Sequence, residues 1–109
     1  HCNAAENPEA EGVEVFTTPG QNDSDILADC IFEEIMQMMP DLTPRTDGSD
    51  GDPDKEANFT VISNTDCPSC LVETELISNP DKEQILLNPG RQRLYAKAIA
   101  HGIGRFLSR

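Results

Sequence analysis

Apolar residues recur along this chain in two rhythms, and the switches between them divide it into elements. Between Gly12 and Thr18 the period is two, with Val13 and Val15 on one face and Glu14 and Phe16 on the other. That alternation predicts a half-buried strand, ended by Pro19-Gly20. From Ile26 to Met39 the spacing turns helical: Ile26, Leu27, Cys30, Ile31, Ile35, Met38 and Met39 share a face. Asp25, Asp29, Glu33 and Glu34 lie mostly opposite; Asp23 or Ser24 is the expected N-cap, and Pro40 closes the helix. Residues 40–58 show no periodicity and read as a long polar loop. Phe59–Ile62 predicts a second strand and Cys70–Glu73 a third.

Past the turn at Ser78-Asn79-Pro80, residues Asp81–Leu87 suit a short helix, which Asn88-Pro89-Gly90 interrupts. A last helix, from about Arg91 to Leu107, carries Leu94, Tyr95, Ala98, Ile99, Gly102, Ile103 and Phe106 as an apolar stripe. Gly102 and Gly104 each weaken it by about 1 kcal/mol relative to Ala, which close packing against a sheet would rationalise at one of them. The order strand, helix, strand, strand, helix, helix predicts an α/β fold: a central sheet covered by helices on both faces, in one domain over residues 1–109. Three strands make a thin sheet, so the chain is expected to be the C-terminal part of a larger domain.

Charge sharpens the picture. The formal net charge is −12, which argues against nucleic-acid or anionic-membrane partners bound through bulk charge. The acid is one-sided: residues 1–58 hold 15 acids and two bases, Arg45 and Lys55, whereas residues 59–109 hold 5 acids and 6 bases. No apolar run approaches the roughly 20 residues of a membrane span, and no targeting segment is evident. Within the polar loop, Asp47 to Glu56 invites a calcium reading. It fails on spacing, because from Asp50 the position that requires Gly is Lys55 and the one that requires Glu is Val61.

Four cysteines (Cys2, Cys30, Cys67, Cys70) are too few and too unevenly placed for a disulfide scaffold. Cys67-Pro-Ser-Cys70 has redox-motif spacing, yet Cys70 falls in a strand rather than at an activating helix N-terminus. Packed structural thiols are the expectation, with a disulfide or metal binding as alternatives. Glu73 is the residue that asks for an explanation. A carboxylate at the end of a buried strand is costly unless it is solvated, paired or near a metal. A structural ion pair and a catalytic role both satisfy that requirement, and Glu75 stands one strand period away as a second candidate. His101, at the edge of the last apolar stripe, reads as a boundary histidine.

Several stretches taken together resemble one family. They are His1-Cys-Asn-Ala4 with Gly12-Val-Glu-Val-Phe16, Ser24–Ala28, Pro68-Ser-Cys-Leu-Val-Glu73, Ile77-Ser-Asn-Pro80, and the Ala-rich last helix from Ala96 to Phe106. In that order and at those intervals the chain resembles the zinc-dependent N-acetylmuramoyl-L-alanine amidases, over nearly its whole length, as the C-terminal portion of their catalytic domain. The resemblance implies that His1 is one of the zinc ligands and Glu73 the general base for a zinc-activated water. It implies peptidoglycan as substrate, cut at the amide between N-acetylmuramic acid and L-alanine of the stem peptide. Location follows as cell wall, periplasmic, secreted or phage-delivered. Two departures stand against it. The family's other ligands would precede His1, in the N-terminal part of the domain, and Glu75-Leu76 replaces the usual Gly-Phe after Glu73. The alternative expectation is a non-catalytic, truncated or split fragment without a complete zinc site.

Overall fold

In the computed structural model, which describes residues 1–46 and 54–109, the period-two stretch forms β1 (Glu14–Thr17). It is the middle strand of a small mixed sheet. On one side it pairs in parallel with β2 (Lys55–Glu56), and on the other it pairs antiparallel with β3 (Leu71–Glu73), giving the order β2-β1-β3. Alternation sends Val13 and Val15 into the core, where they meet the 16-residue helix α1 (Asp23–Met38) through Ala28, Ile31, Phe32 and Ile35. The long C-terminal helix α4 (Pro89–Leu107) packs along α1 through Tyr95, Ala98, Gly102 and Phe106. A single turn, α2 (Thr60–Ser63), and the short α3 (Pro80–Leu87) complete the α/β arrangement.

Capping explains where the helices begin. Asn22, rather than Asp23 or Ser24, is the N-cap of α1: its side chain accepts from the Ser24 N–H while Asp25 takes the Asn22 N–H, a reciprocal capping box. Asp25 is therefore buried, not on the exposed acidic face as its spacing predicts. Asn79 caps α3, and Asn88 both ends α3 and caps α4, so the last helix starts at Pro89, two residues before Arg91.

Four other expectations are corrected. Phe59–Ile62 is not a strand; the chain turns there into α2, with Phe59 standing edge-on against Phe16 at 5.1 Å. The real strand β2 is two polar residues inside the predicted loop, and the buried Asp54 precedes it. Ile26, Leu94 and Ile103 are exposed, because the buried stripes centre one position away. Gly102 packs against a helix instead of a sheet: a Cβ there would lie 2.5 Å from the Ile31 Cα, whereas Gly104 faces open space. Asp47, Asp50 and Asp52 of the calcium-like pattern lie outside the described residues.

Two further segments add to the sheet without belonging to its named strands. Gly12 has φ +125°, and a Cβ there would sit 2.6 Å from the Thr43 carbonyl oxygen. Only glycine permits that approach. It lets 43–45 run beside β1, with Val13 N–H donating to Thr43 O at 2.9 Å and Arg45 N–H to Val13 O at 2.9 Å. On the other edge, His1–Asn3 lies along 72–77: the Thr74 N–H donates to His1 O, Asn3 N–H to Glu75 O, and Ile77 N–H to Asn3 O, each within 2.9 Å.

Candidate catalytic and metal site

That second edge brings the two sequence-predicted residues together. His1 Nδ1 lies 3.6 Å from Glu73 Oε1, with the imidazole largely open to solvent and the Glu73 side chain only 12% exposed. The arrangement follows from register. The amino group of His1 donates to Val72 O at 2.8 Å, and the Thr74 hydroxyl donates to His1 O at 2.9 Å. The first residue is thereby pinned to the end of β3, where Glu73 emerges. Oε2 of Glu73 is buried with no hydrogen-bond partner among the described residues.

Across the β1–β3 ladder, Glu73 stands opposite Glu14. Like charges facing one another on adjacent strands destabilise unless they are neutralised. Glu14 is: Arg45 Nε lies 3.1 Å and Lys55 Nζ 2.9 Å from its Oε2, while Asn3 Nδ2 donates to its Oε1 at 2.7 Å. No Lys or Arg among the described residues pairs with Glu73. Burial, opposed by the amino group of His1 and reinforced by Glu14, holds its carboxyl above the ordinary glutamate range. Glu75, the second candidate, has different partners. It is fully buried, and its Oε1 accepts from the Gly12 and Leu76 N–H groups. That is a clamp between segments.

Glu14 is the residue that sequence reasoning missed, because alternation assigns it only to the face opposite the Val13 and Val15 core. A signal was present. Arg45 and Lys55 are the two bases of the acidic half, and both fold onto this one carboxylate.

The cysteines do not form a site. All four are free thiols. Cys67 and Cys2 are exposed, which corrects the expectation of packed thiols at those positions. Cys70 is half-buried just ahead of β3, and burial pushes its thiol up to about 11. His101 is on the surface of α4.

At the far end of β1 lies a second carboxylate group. Oxygens of Asp25, Asp54 and Glu56 come within 4.8 Å of one another, and the Thr17 hydroxyl reaches Asp25 at 2.9 Å and Asp54 at 2.6 Å. An all-oxygen set is suited to hard cations more than to zinc, which favours nitrogen and sulfur. An open depression of about 420 Å³ lies at this same end, between the start of α1 and residues 65–68. Neither feature touches His1 or Glu73. No helix of the described residues is long and apolar enough to cross a membrane.

Comparison with known proteins agrees with the fold. A family model described as N-acetylmuramoyl-L-alanine amidase matches residues 1–105. N-acetylmuramoyl-L-alanine amidase AmiC of Neisseria meningitidis is 43% identical over 53 residues, 49% of this chain and 13% of that protein. AmiA of Escherichia coli is 39% identical over 49 residues, 45% of this chain and 17% of that protein. Among solved structures, AmiC2 of Nostoc punctiforme aligns with a TM-score of 0.86 at 28% identity, covering 100% of this chain and 56% of its own. An amidase from Clostridium difficile 630 aligns at 0.87 and 26% identity, over 99% and 55%. The chain thus spans about half of these solved structures and a smaller share of the curated relatives.

Proposed function

Because the chain belongs to the N-acetylmuramoyl-L-alanine amidase family, we propose that it contributes to hydrolysis of peptidoglycan at the amide joining the lactyl group of N-acetylmuramic acid to L-alanine. One observation carries this reading: the His1 imidazole and the Glu73 carboxyl converge at the end of β3, and one buried oxygen of Glu73 is left without a partner.

These residues fit part of a zinc centre. A solvent-accessible imidazole is a good zinc donor, and a catalytic site takes three protein ligands while leaving a position open. His1 would be one ligand, and the others would come from the part of the domain that the relatives have and this chain does not span. Zinc held there supplies a Lewis acid that lowers the pKa of a water to about 7 and polarises a carbonyl. Glu73 accepts the proton of the attacking water and returns it to the departing amine of L-alanine. The β-ladder holds its backbone, so the proton is moved by a group fixed in place. Glu14, matched by its own cations, is left out of the proton transfer in this scheme.

The partner implied is the cell wall itself, and the place of action is where wall is exposed: the periplasm or the outer surface, reached by secretion or by phage delivery. Release of stem peptides with a free L-alanine amino group from purified peptidoglycan tests the reading. Chelation should abolish release by the complete protein and zinc should restore it; undiminished release by metal-free protein contradicts the proposal.

A further inference from the structure

Asn3 links the site to the interior of the sheet. Its Oδ1 accepts from the Ala4 N–H at 2.8 Å, and its Nδ2 donates to Glu14 Oε1 at 2.7 Å. The side chain is therefore fixed at both ends, two residues from His1. The main chain of 1–3 is zipped to 72–77 at the sheet edge, and the Asn3 side chain adds a tie to the middle strand.

Glu14 is suited to be the anchor. It is 3% exposed, it sits on the middle strand, and its position is over-determined by the Arg45 and Lys55 pairs on its other oxygen. A buried carboxylate normally costs more than a neutral residue of the same shape would, unless its bonds are all used. Here each oxygen is used, one for charge compensation and one for Asn3. We infer that Glu14 is a positioning residue, which orients the His1 imidazole against Glu73 through the Asn3 side chain. This inference deepens the zinc-amidase reading and rests on it.

The test uses the complete protein, with zinc affinity measured by competition against a chelator and kinetics measured on peptidoglycan. Partners that orient a metal-ligating group typically contribute about 10–100-fold in affinity or activity. Glu14→Ala should lower zinc affinity and kcat by about that factor and leave KM nearly unchanged. Glu14→Gln keeps an acceptor oxygen for Asn3, and Arg45 and Lys55 are exposed enough to be hydrated, so this variant should recover most of both losses. Asn3→Ala should reproduce Glu14→Ala, and the double variant should be no worse than either. If Glu14→Ala does not fold, Asn3→Ala decides, since it leaves the ion pairs of Glu14 in place: reduced zinc affinity supports the role and unchanged affinity overturns it. Folded Glu14→Ala or Asn3→Ala with parental affinity and kcat overturns it as well, with the amidase reading intact. A parent protein that neither binds zinc nor cleaves wall defeats the amidase reading and this inference together.

Discussion

Glu14 and Glu73 face each other in direct register across β1 and β3, two buried carboxylates of which, among the described residues, only Glu14 is paired with Lys or Arg. The asymmetry separates their tasks. Glu14 is held by Arg45, Lys55 and Asn3, while Glu73 has Oε1 beside His1 and a buried Oε2 without a partner among the described residues.

The asymmetry has a consequence for stability. The Glu73 carboxyl is held above its ordinary range by burial first. Folding therefore favours its protonated form, so its contribution is fully present below the unfolded value of about 4.3 and is lost as pH rises through the raised folded value. Glu73→Gln cannot ionise. Thermal melts of metal-free protein should show the variant more stable than the parent at pH 7, with the gap closing toward pH 4. Equal melting temperatures at both pH values would refute the assigned environment.

Helix packing offers a second check. α1 and α4 approach so closely at Ile31 and Gly102 that a Cβ at 102 would sit 2.5 Å from backbone. Overpacking of this kind costs about 1–3 kcal/mol, which outweighs the gain of about 1 kcal/mol in helix propensity from Gly to Ala. Gly102→Ala should lower the denaturation midpoint. Gly104→Ala, which meets nothing within 4 Å, should raise stability by about 1 kcal/mol. Denaturant unfolding of the pair reads both signs, and the same sign for the two would contradict this packing.

Thiol reactivity separates the cysteines of the Cys-Pro-Ser-Cys stretch. The thiolate is the reactive species, and burial pushes the Cys70 thiol up to about 11. Alkylation near pH 8 followed by peptide mapping should label the exposed Cys67 and Cys2 well before Cys70. Replacing Cys67 and Cys70 with serine should leave amidase turnover intact; loss of turnover in a folded variant would return the pair to the mechanism.

Where one rhythm governed burial, the fold was legible. The Val13-Val15 alternation, the presence of α1 and α4 and the Asn-Pro turn all follow from period and capping chemistry, while the edges of the two helical stripes fell one position off. Phe59–Ile62 misled because β-branched residues favour strands only where a ladder receives them. Here Phe59 packs edge-on against Phe16, and Val61 is exposed on a helical turn. The strand that pairs instead, Lys55–Glu56, is two charged residues with no apolar signature. Within the site, Glu73 declared itself as a carboxylate ending a buried strand. The proximity of His1 to it, 72 positions away, depends on tertiary pairing that no local pattern encodes. Glu14 was hidden for a related reason: its cations come from positions 45 and 55, one of them through the close approach that Gly12 allows.

The most direct measurement is turnover by Glu73→Gln in the complete protein, alongside its zinc content and its melting curve. General-base removal predicts loss of stem-peptide release by about 10²–10⁴-fold, with bound zinc and the folded state unchanged. Release at the parental rate by a folded, zinc-loaded Glu73→Gln protein would contradict the account.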